Sequence, residues 1–371
     1  MTWRHYLQVK SRRPAFLWRM VIAIIAAGML GAIVFEGQLR SRPKGDEGRE
    51  EFSRSVERLE ELADSGEWVA LWWALPRVVF HRISYAPPVI LAAFAGCWWF
   101  AFCLHAAQVR GRGDPQIWLL PLAVVLGGLS VWPTHFLSMW IEHRWNIHES
   151  DELAEGLRFY ILGVGVPEEV AKLLCFLPLT PILLRLRSDL TALITAGCVG
   201  LGFAIVENMS YFAGSQGSDA LGRFLTANPA HITLTGVAGL AVYRAIRDPK
   251  GWGSHALAMT GLMIFAHGLY DAAIAIPELA DIGIFGTIIF ALVVYQFFRE
   301  LRELRVPRVE TISLTATFLA GVSMVIAATW IYISGLSNFQ IASDIMVMNS
   351  LGLAVMAYLF LREMPDTMVS V

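Results

Sequence analysis

The stretch Gly165-Val166-Pro167-Glu168-Glu169-Val170-Ala171-Lys172 places three ionisable side chains inside an apolar run from about residue 159 to residue 184. An ionisable group at the centre of a bilayer costs at least about 2.5–3.5 kcal/mol, so three within five residues require an offsetting use. In a helix, Glu168 and Glu169 precede Lys172 by four and three residues and share one face with it. We therefore expect a functional site here. The alternative is a structural ion pair in the core of a helical bundle.

Pro167 predicts a break in the helix at this site. Its nitrogen carries no hydrogen, and its ring crowds the carbonyl group of Gly163. The helix is therefore expected to kink or to restart at the proline. A restart would place Glu168 and Glu169 in the first turn, where the helix dipole favours negative charge.

The composition is that of a membrane protein. Of 371 residues, 56% are hydrophobic and 16% are charged, and the mean hydropathy is +0.54. The apolar residues fall in runs long enough to span a bilayer. The formal net charge of −2 offers no basic surface for nucleic acid, and the four cysteines match no metal or disulfide spacing. The sequence thus predicts an all-α, polytopic bundle in the lipid bilayer.

Hydropathy predicts about ten transmembrane helices. The first covers about residues 15–35, and nine others follow at roughly 87–107, 116–137, 158–184, 190–212, 229–247, 254–276, 281–299, 312–334 and 343–361. An even number places both termini on one side of the plasma membrane. Arginines at alternate helix ends, such as Arg185, Arg187 and Arg244, predict that this is the cytoplasmic side.

These helices divide the chain into five parts. They are a cytoplasmic tail with the first helix (1–35), an extracytoplasmic amphipathic segment (36–86), helices two and three with an acidic outer loop (87–157), a catalytic core (158–276) and C-terminal helices eight to ten (277–371). In the second part, Phe52, Val56, Leu59 and Leu62 recur at helical spacing. They predict an amphipathic helix that lies on the membrane or on the bundle.

Four consecutive predicted helices each carry an acid or an imidazole. Glu168 and Glu169 lie in the fourth, Glu207 in the fifth, His231 in the sixth and His267 in the seventh. At about 1.5 Å per residue, the paired glutamates lie roughly 15 Å below the outer surface. His267 has a similar depth, and the other two are shallower. We expect one shared site toward the outer side.

These residue types suit hydrolysis assisted by a metal. Two imidazoles and one carboxylate form a known catalytic zinc set that leaves one position for water. Here Glu207, His231 and His267 would provide that set, for zinc or another divalent ion. Without a metal, a buried glutamate would activate water directly, with histidine as its partner. The sequence leaves both schemes open.

The other polar residues have roles in either scheme. Glu168 or Glu169 would act as general base on the water, and Lys172 would keep one of the two glutamates ionised. Asn208 would stabilise a tetrahedral oxyanion. Asp271, one turn after the histidine of the seventh helix, would hold the tautomer of that imidazole.

The ordered motifs resemble a known family. Glu-Glu-x-x-Lys at Glu168, then Phe-x-x-x-Glu-Asn at Phe203, then single histidines on the next two helices are similar to the PrsW intramembrane proteases, relatives of the CAAX prenyl-protease and bacteriocin-processing superfamily. The similarity covers about residues 159–275. It implies a membrane-embedded peptidase that uses the residues Glu168, Glu169, Glu207, His231 and His267.

The resemblance also implies a substrate class. The substrates would be membrane or membrane-proximal proteins or peptides, such as a regulatory anti-sigma factor cut on the extracytoplasmic side. CAAX relatives carry arginine after the paired glutamates and histidine in the second motif, where this chain has Lys172 and Glu207. These departures argue against prenylated substrates.

Two other functions fit the same residues. A proton- or ion-coupled transporter also uses glutamate, histidine and lysine in kinked helices as coupling groups. It would carry a symmetry-related broken helix, and the sequence shows no inverted repeat. A non-catalytic membrane scaffold or sensor would tolerate substitution at every site residue.

Overall fold

The computed structural model describes residues 3–39, 46–80, 86–109, 113–282, 284–306 and 312–364. The chain is 86% helical, and no strand occurs in these ranges. The α-helices are α1 (Trp3–Lys10), α2 (Pro14–Val34), α3 (Asp46–Asp64), α4 (Trp68–Val79), α5 (Ala86–Ala106), α6 (Gln116–Trp145), α7 (Leu153–Arg158), α8 (Val166–Phe176), α9 (Thr180–Leu186), α10 (Asp189–Gly214), α11 (Ala220–Leu225), α12 (Ala227–Arg247), α13 (Pro249–Ala275), α14 (Pro277–Ala280), α15 (Phe285–Leu304), α16 (Leu314–Leu336) and α17 (Phe339–Glu363).

The predicted all-α polytopic bundle is confirmed. Among the described residues, α2, α5, α6, α10, α13 and α16 are long and apolar enough to cross a membrane. Helix α17 is bent by 50°, and it is a seventh if its two halves count as one span. The other predicted spans also coincide with helical segments. The predicted fourth span is broken into several short helices, and α12 and α15 carry more polar residues. Fewer than ten single helices are therefore both long enough and apolar enough to cross a membrane.

Helix α10 lies at the centre of the bundle and packs on α12, α6, α5 and α8. Glycines allow this close packing, because small residues let helix backbones approach each other. A Cβ atom on Gly200 would overlap the carbonyl group of His231 on α12, and one on Gly202 would overlap the carbonyl group of Val124 on α6. The helices that carry Glu207 and His231 therefore pack backbone against backbone.

The predicted restart at Pro167 is confirmed. A π-helical turn, Phe159–Gly165, precedes α8, and Pro167 occupies the start of the new helix with both glutamates in its first turn. Pro167 has no N–H to donate to the carbonyl oxygen of Gly163. That oxygen accepts a hydrogen bond from Ser138 Oγ on α6 instead, at 2.9 Å.

The predicted amphipathic helix is α3, and its apolar side packs on the bundle. Leu59 and Leu62 are buried in a cluster with Leu71 of α4, against Trp132 of α6. Trp132 Nε1 also donates to the carbonyl oxygen of Trp72 at 2.9 Å. Residues 40–45 and 81–85 of the predicted segment 36–86 lie outside the described residues.

Candidate active site

The structure brings together the polar residues of four helices. α8 carries Glu168, Glu169 and Lys172; α10 carries Glu207 and Asn208; α12 carries His231; and α13 carries His267 and Asp271. Each of these eight side chains contacts at least one of the others or a shared neighbour, as described below. Two sets of helix contacts bring these side chains together. α10 packs closely on α12, and α13 packs on α8 and on the π-helical turn before it.

Lys172 lies at the inner end of the site and is fully buried. Its Nζ atom donates to Glu168 Oε2 at 2.9 Å and to Glu169 Oε1 at 3.0 Å. It also lies 2.8 Å from His231 Nδ1, and 3.9 Å from the centroid of the Phe203 ring. A buried ammonium group is tolerated when it is paired and hydrogen-bonded, and Lys172 meets both conditions.

His231 has a defined orientation. An ammonium group only donates, so Nδ1 of His231 accepts from Lys172 and the proton of the neutral ring lies on Nε2. Nε2 is 3.2 Å from Glu207 Oε2. Glu207 thus holds the outer nitrogen of the ring, while Nδ1 faces Glu168 Oε2 at 4.0 Å.

His267 is held in a similar way on α13. Its Nδ1 lies 2.9 Å from Glu169 Oε1. Its Nε2 lies 3.5 Å from Glu168 Oε2 and 3.4 Å from Asp271 Oδ2. The predicted proximity of Asp271 to this imidazole is present. Each histidine therefore has a carboxylate on one nitrogen and turns the other nitrogen toward Glu168.

Three of these residues have the donor set of a metal site. Glu168, His231 and His267 are buried, and each offers a ligand atom within 4.8 Å of those of the other two. One carboxylate and two imidazoles suit zinc or another divalent ion. Carboxylates on the outer nitrogens of both rings are the usual support of such ligands. The residue types therefore fit a metal, and an ion bound through Nδ1 of His231 would displace the hydrogen bond that this nitrogen accepts from Lys172.

Glu207 lies outside that group of three. It contacts the nitrogen of His231 that faces away from Glu168, and it forms an ion pair with Arg223 Nη2. The carboxylate that this geometry offers for a metal is Glu168. The metal-ligand role predicted for Glu207 stays a prediction.

Sequence reasoning missed Arg223 and Thr235. Arg223 on α11 also donates through Nε to Asn208 Oδ1, and its guanidinium group lies 3.6 Å from the centroid of the Tyr211 ring. Thr235 Oγ1 donates to Glu169 Oε2 at 3.0 Å. The available signal for Thr235 was its position one turn after His231 on the same face of α12.

Asn208 is fully buried in this hydrogen-bonded group. Its Oδ1 accepts from Arg223, and its Nδ2 donates to Asn228 Oδ1 at 2.5 Å. Asn228 Nδ2, also buried, has no hydrogen-bond partner among the described residues. The oxyanion role predicted for Asn208 stays a prediction.

The site is open at one end and closed at the other. The side chains of Lys172 and Glu169 are 0% exposed, and that of Glu168 is 11% exposed. Glu207 reaches 23% and Asp271 reaches 28%. Glu207 and Asp271 therefore form the more exposed end of the site, and Lys172 lies at the buried end.

The fold and the site together are those of a helical membrane bundle with a buried group of carboxylates and imidazoles that is exposed at one end. Residues 115–298, about half of the chain, match the PrsW family intramembrane metalloprotease model. The similarity to PrsW proteases predicted from the motifs is thereby confirmed over a wider range. The chain is an intramembrane peptidase and a multi-pass membrane protein. No match to it was found among curated proteins or among solved structures.

Proposed function

We propose that the chain is an endopeptidase that hydrolyses a peptide bond of a membrane or membrane-proximal protein at the site built around Glu168. One observation carries the proposal. The carboxylate of Glu168 and the inward-facing nitrogens of His231 and His267 converge within 4.8 Å, buried in a membrane bundle yet in contact with an opening. Such a group binds and activates water, and activated water is what peptide hydrolysis requires.

Glu168, His231 and His267 would hold zinc or another divalent ion. The ion would supply Lewis acidity toward the substrate carbonyl and favour ionisation of a bound water molecule. The chain's own residues keep these three side chains in place. Glu207 orients His231, and Glu169 orients His267.

The paired glutamates have different tasks in this proposal. The side chain of Glu168 is buried but less completely than that of Glu169, so we assign contact with the attacking water to Glu168. Glu169 is sealed, and its two oxygens accept from Lys172, His267 and Thr235. We assign to it the positioning of the imidazole and of the ammonium group. Lys172 balances the negative charge of both carboxylates.

The substrate class follows from the resemblance and from the location of the opening. A regulatory protein of the anti-sigma type, with one membrane span, fits an opening toward the outer side. The basic cluster of Arg244 and Arg247 with Asp189 supports this orientation, because it lies at the opposite end of α10 and α12 from Glu207 and Asn228. We propose, in addition, that both termini are cytoplasmic and that residues 158–276 form the catalytic core. We also propose that the chain belongs to the CAAX superfamily.

A cleavage assay tests the proposal. The full-length protein, purified and reconstituted in liposomes, is given a single-span peptide whose fragments are resolved by mass. We expect wild type to cleave and Glu168→Gln, Glu169→Gln and His267→Ala to lose cleavage while they keep their helical content. His135→Ala is the matched control, because His135 is also in a membrane-spanning helix but contacts the carbonyl oxygen of Val131. Full cleavage by all three site variants would contradict the proposal.

A further inference from the structure

Arg223 lies on α11, a six-residue helix between the two helices that carry Glu207 and His231. We propose that Arg223 is a positioning residue of the active site, which acts on His231 through Glu207. The inference rests on the proposed peptidase function and adds to it a residue that no motif contains.

The guanidinium group of Arg223 makes three contacts with α10. Nη2 forms an ion pair with Glu207 Oε2, Nε donates to Asn208 Oδ1, and the plane lies over the ring of Tyr211. Only arginine combines a planar fork of donors with stacking on an aromatic ring. The ion pair fixes the Glu207 carboxylate, and the other two contacts hold the guanidinium group in place.

The same oxygen atom of Glu207 connects Arg223 to the site. Glu207 Oε2 accepts from Arg223 and lies 3.2 Å from His231 Nε2. While that oxygen is held, the ring keeps its proton on Nε2 and turns Nδ1 toward Glu168. If Arg223 is removed, Glu207 gains rotational freedom, and the Nε2–H group of His231 loses the fixed acceptor that orients the ring, while Lys172 still donates to Nδ1.

The position of Arg223 is itself built into the fold. α11 packs on α5, α16 and α17. Trp99 Nε1 of α5 donates to the carbonyl oxygen of Phe224 at 2.8 Å. Asn349 Nδ2 of α17 donates to the carbonyl oxygen of Ser218, just before α11, at 2.6 Å. These three helices lie outside residues 115–298, so parts of the chain beyond the family match hold the arginine at the site.

The kinetic test separates positioning from substrate binding. We expect Arg223→Ala to lower kcat by about 10–100-fold, the usual effect of removing a residue that supports a ligand, with KM within about twofold of wild type. Arg223→Lys keeps the charge but not the fork, and should recover part of the loss. In the Glu207→Gln background, Arg223→Ala should cost less than about threefold, because coupled residues are not additive. Arg158→Ala is the control, since Nη2 of this arginine donates to the carbonyl oxygen of Trp145, outside the site.

A second measurement does not depend on cleavage. The nitrogen NMR signals of His231, assigned by comparison with His231→Ala, should report a proton on Nε2 in wild type. In Arg223→Ala the Nε2 signal should shift toward that of a more weakly hydrogen-bonded N–H group, because its carboxylate acceptor is no longer held. Three results would each overturn the inference: an unchanged Nε2 signal of His231 in Arg223→Ala, a kcat of Arg223→Ala within twofold of wild type, or the same loss of about 10–100-fold when Arg223→Ala is made in the Glu207→Gln background. Wild-type protein that cleaves nothing would instead contradict the proposed function, and the NMR comparison would still decide the role of Arg223.

Discussion

Lys172 Nζ on α8 lies 2.8 Å from Nδ1 of His231 on α12. This contact joins the stretch that carries the paired glutamates to an imidazole 59 residues away. The same ammonium group contacts both glutamates, so one buried cation is shared by two acids and a histidine. Its removal should therefore affect folding as well as activity.

Lys172→Met keeps the length of the side chain and removes its charge. Two buried carboxylates then lack their cation, and breaking a buried pair costs about 3–5 kcal/mol. We expect a lower unfolding temperature in detergent and no cleavage. Adding Glu169→Gln should recover part of the stability. Lys250→Met, at an exposed position, should behave as wild type, and a Lys172→Met protein as stable as wild type would contradict the shared-cation description.

Thr235→Val removes the hydroxyl group that donates to Glu169 without a change in size. A hydrogen bond to a charged group contributes about 1.5–3 kcal/mol, so a loss of activity of about tenfold or more is expected. Thr233→Val is a matched control, because Thr233 is buried on the same helix and bonds the carbonyl oxygen of Ala230. Equal rates for the two variants would show that Thr235 does not position Glu169.

Gly200→Ala tests the close contact between α10 and α12. The added methyl group would overlap the carbonyl group of His231, and overpacking a core costs about 1–3 kcal/mol. We expect a lower unfolding temperature and slower cleavage. Gly214→Ala, on the same helix, is the matched control, because no other atom lies within 4 Å of a Cβ atom added there. It should match wild type, and an unaffected Gly200→Ala would argue against the packing.

Metal content distinguishes Glu168 from Glu207 as the carboxylate ligand. After dialysis against zinc and removal of the excess, we expect bound metal in wild type and little or none in Glu168→Gln, His231→Ala or His267→Ala. Glu207→Gln should retain metal with about 10–100-fold lower affinity, as expected for a residue that supports a ligand. The reverse order for the two glutamates would restore the assignment made from the sequence, in which Glu207 binds the metal.

Much of the site could be predicted from local sequence rules. The spacing of Glu168 and Glu169 from Lys172 predicted their ion pairs, and Pro167 predicted the start of α8. The one-turn spacing of His267 and Asp271 predicted their proximity. In each case helix geometry alone brings the groups together, so no knowledge of tertiary structure was needed.

Other features depend on tertiary packing and could not be read from the sequence. The position of Arg223 was indistinguishable from a charge in an outer loop, because α11 has only six residues and shows no periodicity. A threonine in an apolar helix carries no energetic signal until its partner is known, so Thr235 was overlooked. His231 faces Glu168 with Nδ1, and His267 faces it with Nε2. This choice of ring nitrogen depends on the packing of α10 and α13 around α8 and α12.

The central claim is that Glu168 lies where water attacks a peptide bond, and hydrolysis in water enriched in heavy oxygen tests it most directly. A single-span peptide is incubated in liposomes with wild-type protein or Glu168→Gln, and the fragments are weighed by mass spectrometry. The account predicts one heavy oxygen in the new carboxyl terminus with wild type, and an intact peptide with the folded variant. Labelled fragments formed at the wild-type rate by Glu168→Gln would contradict it.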